Sequence, residues 1–260
     1  MQSSIFFDRI GFFMVEKIDP WSHPENLSLE IIGNMRPIDC KAILGSNALL
    51  YLGESHVDEY SAVRQHLSKR AQEIAAAGIT HWAIEASRLG RMALKKLRRN
   101  PSIDLSEIDL GPRLDSSDYE RIIRAFSQIG VDIIPIDTES MQIYSHQQRE
   151  NVLEKELTDI YEADAFAKVA VLIGMAHTFR GRLMKDFYFL GGRTEKRGIP
   201  SVVVAYIVNG NFYSETLSKA IRLAKVKQEK FMIDMRPYQH TLNVPWDMGH
   251  VDFVINLPKL

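Results

Sequence analysis

The sequence predicts an α/β protein with a mostly parallel central sheet flanked by helices. Short aliphatic and β-branched runs alternate with longer amphipathic segments, the pattern of βαβ units. The clearest runs end at a glycine or a carboxylate, at Gly53, Glu85, Asp137 and Gly174. No repeat, low-complexity tract or linker interrupts the alternation, so residues 1–260 read as one domain, with 1–44 as an N-terminal extension on a core of 45–260.

Each element has its own signal. Ala48 to Leu52 is the first apolar run, closed by Gly53. Tyr60, Val63, Leu67, Ala71, Ile74 and Ala75 then recur at helical spacing up to Gly78. Thr80 to Ile84 is the second strand, and a helix from Ser87 to Arg99 stops at Asn100 and Pro101. Residues 101–117 read as an irregular acidic loop, followed by a helix from Ser117 to Ile129 with Gly130 as its stop. Val131 to Ile136 is the third strand, Tyr144 to Ala165 a long helix, and Lys168 to Ile173 the fourth strand. Ser201 to Val208, a turn at Asn209 and Gly210, a helix near Glu215 to Val226, and runs at 231–233 and 251–257 complete the pattern. The stretches 101–117 and 188–198 read as insertions acting as lids.

Composition excludes several classes. With 45% hydrophobic and 25% charged residues, the chain has a globular composition. Cys40 is the one cysteine, which supports neither a disulfide framework nor a thiolate metal site. A net charge of -1 argues against a general nucleic-acid binder. The basic run Lys95, Lys96, Leu97, Arg98 and Arg99 reads as the solvated end of a helix. No run approaches the ~20 apolar residues of a membrane span, and the N-terminus lacks signal-peptide character. A cytoplasmic location is expected, with signal-free secretion left open. There is no phosphate loop, GxGxxG, GxSxG or HExxH pattern.

The informative polar residues fall at strand ends, where open α/β sheets bind ligands. The first strand delivers Glu54 and His56, the second Glu85, the third Asp137 and Glu139, and the fourth His177. Both histidines follow a strand, a glycine expected to permit a tight turn, and two further residues. Two imidazoles with carboxylates suit either a divalent transition metal (Mn, Co, Zn or Fe) held by His56, His177 and Glu85, or metal-free acid–base chemistry. Arg149, on the long helix, and Arg180, after His177, are candidates for an anionic substrate group or an oxyanion.

Taken in order, Gly53-Glu54-Ser55-His56, Glu85, Arg149-Glu150-Asn151 and Gly174-Met175-Ala176-His177 resemble the superfamily that joins ChaN-like haem-binding proteins, the erythromycin esterases and the TIKI/TraB group. The likeness spans about residues 45–180, with Val251 to Val254 similar to its terminal strand. It implies metal-dependent peptidase activity if the chain follows TIKI, Glu/His-driven ester hydrolysis by water if it follows the esterases, and haem binding if it follows ChaN. Related domains also occur inside bacterial toxins. The sequence departs from the superfamily's Arg-Asp/Asn pair by placing Glu150 beside Arg149.

The expected function is water-mediated cleavage of an ester or peptide bond by a Glu/His centre. Glu54, His56, Glu85, His177 and Arg149 are catalytic in that reading, and Arg180, Asp137 and Glu139 bind a small-molecule or peptide substrate. Haem or small-ligand binding, and a toxin- or effector-type domain, are the alternatives.

Overall fold

A computed structural model describes residues 24–54, 61–97, 99–100, 102–105, 116–138, 145–180, 182–184, 187–209, 215–238 and 251–258. Helices α1 (Pro24–Asn34) and α2 (Cys40–Leu44) precede the first strand, β1 (Leu49–Glu54). Then come α3 (Ser61–Lys69), α4 (Ala71–Ala76), β2 (His81–Ser87), α5 (Arg91–Leu97), α6 (Ser116–Gln128), β3 (Asp132–Asp137), α7 (His146–Ala163) and β4 (Val169–Gly174). A 3-10 turn at Met175–Thr178 leads into β5 (Arg182–Met184), β6 (Phe187–Tyr188), α8 (Leu190–Lys196) and β7 (Ser201–Val208). The described chain finishes with α9 (Glu215–Leu223), β8 (Phe231–Asp234) and β9 (Phe253–Leu257).

The fold is α/β, built on a seven-stranded sheet in the order β3-β2-β4-β1-β7-β9-β8. Every pairing within this sheet is parallel except β8 with β9, and β5 and β6 form a separate antiparallel pair. Residues alternate between two cores, as the period of a strand requires. Leu50 and Leu52 of β1 face α2 to α6, whereas Leu49 and Tyr51 face α1, α7, α8 and α9. The central strands are buried on both faces, which explains their unbroken apolar sequence.

This layering fixes where a site can form. The chain leaves β1 toward the α3 face and leaves the adjacent β4 toward the α8 face. Neighbouring strands whose connections depart to opposite sides open a crevice at their carboxyl ends. Glu54 and Gly174, paired in register, stand at that opening.

Some local expectations change. β2 continues through Ser87, because a register shift against β3 pairs Ser87 with Asp137, so the next helix starts only at Arg91. The predicted helix over 60–78 divides at Arg70, whose N–H is shared between the carbonyls of His66 and Leu67. The long helix begins at His146, where Ser145 and Gln148 form a reciprocal capping box. Gly53 lies inside β1 and serves close approach rather than a turn: a Cβ there would collide with the Met175 sulfur. Segment 188–198 is a packed element and no lid. A Cβ on Gly191 would strike the Thr178 carbonyl, and Thr194 exchanges a 2.9 Å hydrogen bond with the buried Tyr51 hydroxyl.

His66 of α3 is buried edge-on against Tyr206, with ring centroids 6.1 Å apart. Burial, reinforced by the charges of Lys230 and Arg70, pushes its imidazole down to about 3. Unfolded, the same group titrates near ~6.5. Between these values the unfolded chain takes up a proton that the folded chain refuses, so His66 lowers stability as pH falls through that window. Replacing it with leucine (His66→Leu) is expected to flatten the acid limb of the denaturation midpoint between about pH 6 and pH 3. An acid limb superimposable on the wild type refutes the assignment.

Candidate active site

Arg149 is where the strand ends meet. It rises from the first turns of α7, and its guanidinium reaches three elements at once. Nε donates to Asp137 Oδ1 at 2.9 Å and to Oδ2 at 3.2 Å, while one terminal nitrogen donates to Asp137 Oδ2 at 2.6 Å and also pairs with Glu85 Oε1. The other terminal nitrogen lies 3.2 Å from His177 Nε2. Burial opposes the charge of this arginine, but the hydrogen bonds and charges of Asp137 and Glu85 outweigh it and hold the guanidinium protonated. Glu85 is fixed on its other side, where Oε2 accepts the Gly174 N–H at 2.7 Å. Asp137 Oδ1 also accepts the Thr138 N–H at 2.7 Å.

His177 stands on the 3-10 turn beyond β4, edge-on to Phe189. Its Nδ1 hydrogen-bonds Glu150 Oε1, and its Nε2 lies 3.8 Å from Glu85 Oε1. Because Nε2 accepts from Arg149, the proton of the neutral ring sits on Nδ1 and is donated to Glu150. Burial disfavours the imidazolium. The Glu150 hydrogen bond and the charges of Glu85 and Glu150 overcome both burial and the repulsion of Arg149, so proton affinity rises above that of an ordinary histidine.

Glu150 is the residue missed by the strand-end reading. It is 1% exposed, and its second oxygen, Oε2, has no hydrogen-bond partner among the described residues. A helical signal was present: Glu150, Leu153, Leu157 and Ile160 share the buried stripe of α7. A carboxylate on an apolar stripe needs a partner, and here that partner is the imidazole.

The other expected residues divide. Glu54, next to the cluster along the sheet, turns to the α3/α6 face, where the Tyr119 hydroxyl donates to Oε1 and Arg64 Nε donates to Oε2 at 3.2 Å. The Arg64 guanidinium lies 5.0 Å over the Tyr119 ring. Arg180 does not join the group expected to bind substrate. It follows the 3-10 turn rather than lying on a helix, and its guanidinium is spent on Asp252 at 2.5 and 3.1 Å and on the Ser201 carbonyl at 2.7 Å. Those acceptors lie just before β9 and at the start of β7, away from the strand carboxyl ends. His56 and Glu139 fall outside the described residues.

Among the described residues, no group of three or more His, Cys, Asp or Glu side chains stands where it could hold a metal. The physical reason is visible at each donor. Arg149 already occupies Glu85 and Asp137, and both ring nitrogens of His177 are engaged. Of the three ligands expected for a divalent metal, Glu85 and His177 are engaged in this way and His56 lies outside the described residues.

No family model matches the chain, and no curated protein matches it in sequence. Solved structures do. A Bacillus cereus protein aligns over 91% of this chain and 97% of its own, with 11% identity and a TM-score of 0.57. The type III effector HopBA1 aligns over 87% of this chain and 98% of its own, with 15% identity and a TM-score of 0.50. RRSP, a MARTX toxin effector domain from Vibrio vulnificus, aligns over 72% of this chain and 40% of its own, at 17% identity and a TM-score of 0.48. The first two likenesses show that this α/β fold recurs elsewhere. No described helix is long and apolar enough to cross a membrane.

Replacing Arg149 with methionine (Arg149→Met) leaves Glu85 and Asp137 buried without their cation. Urea denaturation is expected to show a loss of about 3 kcal/mol, the range for breaking a buried ion pair from one side. Unchanged stability would mean that the guanidinium does not tie the strand ends.

Proposed function

We propose that this chain is an effector-type domain that hydrolyses a peptide or ester bond with an acid–base centre built on His177 and Glu150. The single observation that carries the reading is the buried Glu150–His177 pair beside Arg149 and Glu85 at the sheet's carboxyl edge. The effector part takes support from the fold shared with HopBA1 over most of both chains. The hydrolase part takes support from the residues themselves and from the ordered Glu54, His56, Glu85, Arg149 and His177 motifs in the sequence.

The geometry supports a division of labour. Glu150 orients the ring through Nδ1 and stabilises the imidazolium that forms when Nε2 takes a proton from water. The resulting hydroxide attacks the substrate carbonyl. Arg149 Nε and one terminal nitrogen are held by Asp137 and Glu85, which leaves the nitrogen now facing His177 to donate to the oxyanion. His177 then returns its proton to the departing amine or alcohol as the carbonyl bond to it breaks. Glu54, braced by Tyr119 and Arg64 on the α3/α6 face, flanks the same opening from the other side of Gly174. His56, two residues further on in the sequence, is the second histidine assigned to the reaction.

The test is a cell lysate treated with the protein and labelled at newly formed α-amines, alongside a panel of chromogenic esters. New termini or ester turnover are expected with the wild type and are expected to vanish in His177→Ala and His56→Ala, with melting temperatures within a few degrees of the wild type. Full activity in both variants overturns the reading.

A second measurement follows from the proton affinity of His177. The free-base form is the active one, so the rate rises with pH, and the limb lies above the ordinary imidazole range near ~6.5. Glu150→Gln removes a charge that raises this affinity, so the limb is expected to move to lower pH while kcat falls. A limb that stays in place separates Glu150 from the chemistry.

A further inference from the structure

Lys95, Lys96 and Arg99 do not simply end a helix in solvent. With the exposed Met92 they form one wall of a groove of about 620 Å³, and Ile133 and Ile134 at the start of β3 line the other. Ile133 packs toward the α5/α6 core and Ile134 toward the α7 core, so the groove follows the rim of the sheet rather than one face. β3 is the edge strand, and β2 is its one strand partner among the described residues.

The cations of the groove, Lys95, Lys96 and Arg99, outnumber its one acid, Asp132. Among the described residues, none of the three cationic side chains forms an ion pair or a side-chain hydrogen bond, whereas Arg88 and Arg91, just upstream, both hold Glu156. In a chain of net charge -1, this is a local surplus of positive charge beside open backbone. An edge strand offers unpaired N–H and C=O groups to any extended chain that can reach it. Pro135 offers no N–H, which confines such pairing to the groove residues before it.

We propose that this groove docks an extended acidic segment of a partner protein. The segment adds as a short strand on β3 and turns the carboxylates of alternate residues toward Lys95, Lys96 and Arg99. The strand period of two supplies the selectivity, since acids on every second residue face α5 while the residues between them meet the apolar rim. The docking requires no turnover by the centre at His177.

Fluorescence anisotropy with a labelled peptide alternating Glu and Val, about eight residues long, tests this directly. Saturable binding is expected, unchanged in His177→Ala and weakened about tenfold or more in the triple variant Lys95→Glu, Lys96→Glu, Arg99→Glu. The same peptide with Lys in place of Glu is expected not to bind, and a central proline is expected to weaken binding by blocking the strand pairing. Alanine at the three positions is the second variant should charge reversal unfold the chain. Absence of binding, binding that survives charge reversal, or indifference to the central proline each overturns the proposal. So does charge-dependent capture of phosphatidylserine vesicles without peptide binding, which would assign the surface to lipid. Because the readout is binding, its failure is distinct from a failure of hydrolysis.

Discussion

The carboxyl edge of the sheet depends on one guanidinium. Arg149 joins the ends of β2 and β3 to the imidazole that follows β4, and without it Glu85 and Asp137 would be two buried anions facing each other with no cation between them. Glu150 adds a third carboxylate, so the described cluster sets three carboxylates against one guanidinium and keeps a surplus of negative charge even when His177 is protonated. The Glu150 hydrogen bond, with the charges of Glu85 and Glu150, raises the proton affinity of the imidazole despite its burial. The interaction that organises the strand ends therefore also sets the chemistry of the histidine.

Topology decides which side chains can take part. Parallel strands whose connections leave to opposite faces bring β1 and β4 together at an opening. The period of two sends Glu85 to the α7 face and Glu54 to the α3/α6 face, where each finds a separate arginine. The carboxylates thus flank Gly174 from either side, one bonded to its N–H and the other paired with it in register.

The sheet was legible because its strands are buried on both faces and read as unbroken apolar runs between glycine and acidic stops. The strand-end residues Glu85, Asp137 and His177, together with Arg149, were legible for the same reason: position on a coarse α/β scheme is enough to collect them. Arg180 misled because chain proximity to His177 says nothing about where a long side chain ends, and Asp252 lies 72 residues away. Glu150 was passed over because a single carboxylate on a helix ordinarily faces water, and only its spacing to Leu153 and Leu157 revealed its direction. The break at Arg70 and the extension of β2 through Ser87 depend on pairings between distant segments, which local propensity does not encode.

The Gly191–Gly192 pair presses α8 against the backbone of residues 178–180, one residue beyond the candidate base. A side chain at Gly191 would meet a carbonyl group and not the tip of a flexible neighbour, so relief requires the main chain to move. The 3-10 turn carrying His177 is thus clamped by an absence of atoms. In a saturation screen for activity, positions 191 and 192 would score as sharply as the ionisable residues although they offer a substrate nothing. Such intolerance measures how little clearance the imidazole has. Any lineage that retained the chemistry would have to keep this gap empty while remaining free to redesign the groove on the far rim.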